Sequence, residues 1–206
     1  MIRTTLLALS LMLMPLSAHA QDTAPFPPPP SGSDVQVALD TGEGRIVLAL
    51  DPVHAPLTTA NFLKYVDQKR LDGTAFYRSM RFGPDTGLIQ GGARGDPRRV
   101  LPPVAHEPTT QTGIVHGPGT ISMARYEPGS ATADFFITAD TMPSLDADPS
   151  RQGDNAGFAA FGHVIEGMDV VKRILSAPTS PTEGEGVMKG QMLEPKVPIL
   201  TARRLP

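Results

Sequence analysis

The stretch Val35-Gln36-Val37-Ala38-Leu39-Asp40-Thr41-Gly42-Glu43-Gly44-Arg45-Ile46-Val47-Leu48-Ala49-Leu50 decides the fold class. Apolar residues alternate from Val35 to Leu39, Thr41-Gly42-Glu43-Gly44 supplies turn chemistry, and Arg45 to Leu50 resumes a strand pattern, so the spacing predicts a β-hairpin. Beyond it, Asp51 to Ala55 leads to Pro56, which suits a first helical turn, and Leu57, Ala60, Leu63 and Tyr65-Val66 form an apolar stripe. A second helix is predicted after Gly167, with Val170-Val171 and Ile174-Leu175 apolar and Lys172-Arg173 near its C-terminal end. Between the helices lie short apolar runs at Leu88-Ile89, Gly119 to Ala124, Phe135 to Thr138 and Phe158 to Ile165, and Val197 to Leu205 reads as a last strand. Short strands separated by Gly and Pro favour a closed barrel or a sandwich.

Composition narrows the function classes. The chain has 206 residues, of which 40% are apolar and 19% charged, enough for one well-buried domain. Twenty-one acidic against 18 basic residues, a net charge of −3, give no electrostatic reason to expect a nucleic-acid partner. The absence of Cys excludes disulfides, thiolate metal sites and Cys nucleophiles. With no Trp and 3 Tyr, an aromatic pocket is expected to be built from the 8 Phe.

The N-terminus reads as an address. Residues 1–20 carry Arg3 as their one charge, an apolar run from Leu6 to Leu16, and a small-x-small ending at Ala18-His19-Ala20, the pattern of a secretory signal peptide. The apolar run is about half the roughly 20 residues that span a bilayer, and Pro15 breaks it, so no membrane association is expected after cleavage. Residues 21–33 form a Pro-rich linker: Pro27 to Pro30 favour an extended spacer and Ser31-Gly32-Ser33 a flexible joint. Residues 34–206 are then the folded domain, expected to be a periplasmic monomer.

Several motifs occur in a fixed order along that domain: Ala55-Pro56 with Asn61-Phe62, Gly73-Thr74-Ala75-Phe76-Tyr77-Arg78, Gln90-Gly91-Gly92, Gly117 to Ala124, Asp134-Phe135-Phe136-Ile137-Thr138, Ser144-Leu145-Asp146, and Phe161 to Met168. Together they resemble the cyclophilin family of peptidyl-prolyl cis-trans isomerases over roughly residues 35 to 205, and the signal with Ser122-Met123-Ala124-Arg125 is most similar to its bacterial periplasmic branch. The resemblance implies a mainly β fold, an eight-stranded antiparallel closed β-barrel capped by two α-helices, acting without a cofactor or metal. It also implies that the partners are proline-containing unfolded or exported polypeptides.

The chemistry follows from the reaction. Rotation about an Xaa-Pro bond faces a barrier of about 18–20 kcal/mol because the nitrogen lone pair is delocalised into the carbonyl. A catalyst must seat the proline ring, exclude water from the twisted amide and donate a hydrogen bond to the pyramidal nitrogen. It needs a strong donor beside an apolar slot, with no nucleophile or titrating base. By the family motif the donor falls on Arg78, and Gln90 contacts the peptide backbone and steadies Arg78. The resemblance likewise assigns Leu88, Phe136, Leu145 and Phe158 to the ring pocket, Ala124 and Arg125 to pairing with the extended peptide, and Asp134 to the groove. A ten-thousandfold acceleration requires about 5.5 kcal/mol. One hydrogen bond to a charged group supplies about 1.5–3 kcal/mol, so pocket and orientation must supply the rest.

The chain departs from the family pattern at identifiable places. The segment Ser79 to Ile89 is about four residues longer than usual, and Gly87 stands where a pocket Phe is expected, with Phe82 as a candidate to fold back in its place. Arg125 and Asp134 replace an Asn and a Gln, Ser144 replaces a Trp, and Phe158 replaces a His. Asp146 to Asp154 faintly resembles a calcium loop but lacks the Gly and the acidic residue that such a loop needs. Arg94, Arg98 and Arg99 read as a solvated basic loop, and His116 and the other histidines as packed or solvated side chains. Two functions follow: an active prolyl isomerase for exported proteins, or a catalytically weak module that binds proline-containing segments.

Overall fold

The computed structural model describes residues 32–206; the signal segment 1–20 and nearly all of the linker 21–33 lie outside the described residues. The predicted hairpin is present as β1 (Val35–Thr41) and β2 (Gly44–Leu50), paired antiparallel from Val35↔Leu50 to Thr41↔Gly44. Val37, Leu39, Ile46, Leu48 and Leu50 belong to the main core cluster, on one face by the two-residue period of a strand, and the alternate residues Ala38, Val47 and Ala49 are covered as well, so the hairpin is buried on both faces there.

The remaining elements follow as α1 (Pro56–Asp67), β3 (Thr74–Arg81), β4 (Gly87–Gly92), α2 (Thr109–Thr112), β5 (Thr120–Met123), β6 (Phe135–Thr138), β7 (Ala159–Glu166), α3 (Met168–Ser176), β8 (Thr179–Ser180) and β9 (Met192–Arg204). Eight strands run in the order β1-β2-β7-β5-β6-β4-β3-β9, and a further pairing of β9 with β1 closes them into an antiparallel barrel. The two-residue β8 hangs on the start of β9 outside that circuit. Closure removes the free strand edges that an open sheet would expose. Two expectations need amendment. A third, short helix, α2, joins the two predicted, and the last strand begins at Met192 instead of Val197 because its first residues pair with Thr179 and Ser180.

The barrel interior is filled by aromatic and branched side chains. Phe62 from α1 packs edge-on against Phe135 with centroids 5.4 Å apart and lies 5.3 Å from Phe161, while Phe76 meets Phe135 at 5.7 Å. The caps are α1, through Phe62, Tyr65 and Val66, and α3, through Val171, Ile174 and Leu175. The N-terminus of α1 has no side-chain cap of its own; Glu107, 1% exposed and fifty residues away, accepts hydrogen bonds there from Leu57 N (3.2 Å), Thr58 N (2.7 Å) and Thr58 Oγ1 (2.7 Å).

Candidate functional site

Strand alternation builds the site. Phe135, Ile137 and Ile89 point into the barrel, so their neighbours Phe136, Leu88 and Gln90 face the opposite side, where Leu88, Phe136 and Met142 form a second apolar cluster with Met80, Ala124, Leu145 and Phe158. Arg78 and Gln90 are cross-strand partners in the β3–β4 ladder, and an irregularity between Phe76 and Arg78 redirects the side chains there.

The Arg78 guanidinium is held by three neutral acceptors. Nη1 donates to Gln90 Oε1 (2.9 Å), Nε to Gln191 Oε1 (2.8 Å) and Nη2 to Met80 Sδ (3.3 Å). Gln90 Nε2 in turn donates to the Tyr77 hydroxyl (2.8 Å), which fixes the amide so that its oxygen faces Arg78. Burial lowers the pKa of Arg78 and pushes that of Tyr77 up, leaving a charged guanidinium beside a neutral phenol. A guanidinium carries five N–H donors, and these contacts use three, so donors remain for a ligand. No carboxylate forms an ion pair with Arg78 among the described residues, so its charge is not neutralised locally.

Beside it lies a cavity of about 550 Å³. Every residue nominated from the sequence lines it: Arg78, Gln90, Leu88, Ala124, Arg125, Asp134, Phe136, Leu145 and Phe158. Phe136 and Phe158 meet edge-to-face at 5.4 Å, making an apolar corner of the size of a small ring. The walls also include Met80, Met188, Met192, Tyr77 and Tyr126, so Phe is not the sole aromatic contributor. Sequence reading missed Gln191 and these methionines. Gln191 lies 113 residues from Arg78, and no local pattern signals the pairing.

Gly87 has a physical reason. It adopts φ +148°, and a Cβ there would overlap the Met80 carbonyl oxygen, so no Phe can occupy the position. Met80 fills the space from the neighbouring strand, whereas Phe82 is 69% exposed and does not fold back. Arg125 does not offer its side chain to the groove either. Its side chain is 2% exposed, forms two bonds to Asp154 (2.7 and 2.9 Å), donates to the Gly157 carbonyl and lies 5.0 Å over the Phe158 ring. It clamps the insertion after Leu145 onto the pocket. Asp134 accepts from the backbone N–H groups of Arg94 (2.9 Å) and Ala93, and burial raises its pKa. Ser144 is exposed and does not line the cavity.

The carboxylates of the insertion face different partners: Asp154 binds Arg125, Asp148 accepts from Ser150, and Asp146 binds His116. Among the described residues, no group of three or more His, Asp or Glu side chains is placed to hold a metal ion. His116 lies between Asp146 Oδ1 (2.6 Å from Nδ1) and Ser122 Oγ (2.9 Å from Nε2), the spacing of a nucleophile relay. Ser122, however, is 0% exposed and cannot reach a substrate carbonyl. The imidazole instead stacks on Phe136 at 5.8 Å and backs the pocket wall.

Comparison with known proteins agrees with this geometry. A profile of the family described as cyclophilin type peptidyl-prolyl cis-trans isomerase/CLD matches residues 35–203. A peptidyl-prolyl cis-trans isomerase of Streptomyces antibioticus is 38% identical over 152 residues, covering 72% of this chain and 87% of that protein. Peptidyl-prolyl cis-trans isomerase B of Escherichia coli is 34% identical over 149 residues, covering 69% and 85%. Among solved structures, a Cryptosporidium parvum cyclophilin type peptidyl-prolyl cis-trans isomerase superposes with a TM-score of 0.64 at 18% identity, covering 84% of this chain and 98% of that one. The same parasite protein solved in the presence of the dipeptide Ala-Pro gives 0.63 at 19% identity, covering 83% and 99%.

Proposed function

The chain belongs to the cyclophilin-type peptidyl-prolyl cis-trans isomerases, and on that premise we propose that it acts as a periplasmic monomer on Xaa-Pro bonds of exported polypeptides, with Arg78 as the electrostatic catalyst. The observation that carries this reading is the Arg78 guanidinium, oriented by Gln90, Gln191 and Met80, unpaired with any carboxylate among the described residues, and bordering an apolar cavity.

The proline ring enters between Leu88, Phe136, Leu145 and Phe158, with Met80 closing the side left open by Gly87. Seating the ring there removes water from the amide. As the bond twists, the nitrogen becomes pyramidal and its lone pair accepts an N–H from Arg78, an interaction present in the twisted state and absent from the planar one. Gln90 steadies the guanidinium beside the cavity, and its own amide is fixed by Tyr77. No proton changes hands. The parasite relative studied with Ala-Pro supports a proline-containing peptide as the ligand class. The exported setting rests on the signal pattern of residues 1–20 and the Pro-rich tether of residues 21–33.

A chymotrypsin-coupled assay with an Ala-Pro-Phe peptide tests the activity: micromolar protein is expected to accelerate the slow cis phase, and an unchanged phase overturns the reading. Fusing residues 1–33 to a reporter active only outside the cytoplasm tests the setting. Reporter activity is expected, and its absence overturns export.

A further inference from the structure

Next to the proline cavity lies a second concavity of about 340 Å³, formed where β3, β4 and β9 meet the loop 93–100; Tyr77 and Arg94 line both. Its ionisable lining is strongly one-sided. Arg94, Arg98, Arg99 and Lys196 face Asp96 as the one carboxylate. That imbalance occurs in a chain whose formal net charge is −3, so it is a local feature and not a consequence of composition.

The loop that carries these cations is built rather than loose. Asp96 accepts from the Arg98 backbone N–H (3.0 Å) and from Arg98 Nε (3.0 Å) and Nη2 (2.9 Å), and its backbone carbonyl receives Arg99 N and Val100 N. Arg99 Nη1 donates to the carbonyls of Arg70 (2.9 Å) and Asp72 (2.7 Å), while Arg70 Nη1 donates to those of Arg98 (3.2 Å) and Arg99 (2.9 Å). These carbonyls hold Arg99, whose Nε also lies 3.8 Å from Asp96, so that one carboxylate is shared between Arg98 and Arg99 and leaves the group with excess positive charge. Arg94 takes a left-handed backbone conformation, φ 49°, uncommon for a residue with a side chain, and its guanidinium lies 5.0 Å over the Tyr77 ring, on the boundary between the two cavities. Lys196 is exposed on β9, beside the β3 irregularity that turns Tyr77 outward.

We propose that this concavity is an anion subsite that takes the carboxylate of an Asp or Glu in the same polypeptide whose proline occupies the neighbouring cavity, so that acidic Xaa-Pro segments are preferred clients. The inference rests on the peptide-isomerase reading above. Because the two concavities share a wall, the acidic residue lies a few residues from the proline, at about 3.3 Å of extended chain per residue. Asp96 already occupies the fork of Arg98, so the incoming carboxylate is met by Arg94, on the shared wall, and by Lys196, within the excess positive charge of the loop. A polyanion such as nucleic acid would meet the net negative charge of the rest of the molecule.

The test uses peptides with one central Ala-Pro bond and Glu, Gln or Lys scanned over four positions on either side, followed by exchange NMR for kcat/KM and by anisotropy for binding. At one position Glu is expected to exceed Lys by about tenfold at low salt and by less than threefold at 0.5 M NaCl. Lys196→Glu combined with Arg98→Gln is expected to abolish that preference and to leave the all-Ala peptide unchanged. Lys196→Glu alone, at an exposed position that does not disturb the Asp96 loop, is expected to halve the preference at least. A thermal melt checks folding of both. Equal rates and affinities for Glu and Gln peptides at every position, with the all-Ala peptide turned over normally, overturn the subsite alone, as does a preference that survives the double variant. Failure to isomerise any peptide overturns the isomerase reading, and anisotropy then decides the subsite independently.

Discussion

The role proposed for Arg78 depends on what surrounds the side chain as much as on its charge. Three neutral acceptors fix its plane, a task that a lysine ammonium on a flexible stem cannot reproduce. Arg78→Lys is therefore expected to keep the positive charge and lose at least tenfold in kcat/KM, with an unchanged melting temperature; retention of most activity would show that charge alone suffices. Asp134 presents a different balance. Burial raises its pKa above the ordinary value, so its contribution to stability is greatest below the unfolded pKa and is lost as pH rises through the folded one. Asp134→Asn keeps an oxygen for the backbone N–H groups and removes the buried charge. Its melting temperature at pH 7 is expected to exceed that of the parent by about 2 °C, with the gap closing towards pH 4. A variant less stable at pH 7 would show that attraction to Arg94 outweighs desolvation. At this scale the motifs made Arg78, Gln90 and Phe136 legible, because short runs carried them. Met80 and Gln191 were not legible, since each reaches Arg78 through an irregular ladder or a distant strand.

At the scale of elements, periodicity served the hairpin strands and α3, but on α1 the expected stripe holds only at Leu63, Tyr65 and Val66: Leu57 and Ala60 are exposed, while Thr58, Thr59, Asn61 and Phe62 turn inward. It failed at α2, four residues with no periodic stripe, and at the start of β9, where pairing with the remote Thr179-Ser180 extends the strand. The cap of α1 was equally invisible. Glu107 satisfies donors fifty residues away, and no local capping pattern reports it. Glu107→Ala leaves those buried donors unmatched and is expected to cost about 3 kcal/mol, a fall in Tm on the order of 10 °C, with little change in the pocket. Differential scanning calorimetry reads this directly, and a loss below about 1 kcal/mol would mean that water replaces the carboxylate. The insertion after Leu145 shows how a departure from the family pattern is absorbed: Arg125 ties it to Asp154 and Gly157 and rests on Phe158, so added chain becomes a wall of the cavity.

The whole molecule divides labour between a closed barrel that sets side-chain positions and an outer face that carries the candidate site. Closure through β9 and β1 keeps the β3–β4 ladder from fraying, and Arg78 and Gln90 sit on that ladder. The tether is expected to lie outside this division. Deleting residues 21–33 from the chain that begins at Gln21 should leave kcat/KM within about twofold and the melting curve unchanged, whereas a lost transition would show that the segment packs on the barrel. Two-dimensional exchange NMR on an Ala-Pro peptide at equilibrium, with the parent protein and with Arg78→Ala, reports interconversion and binding together. The account predicts fast cis-trans exchange with the parent, at least a tenfold slower rate in the variant, and near-equal peptide affinity for both. Undiminished exchange in Arg78→Ala, or binding without exchange in the parent, would contradict it.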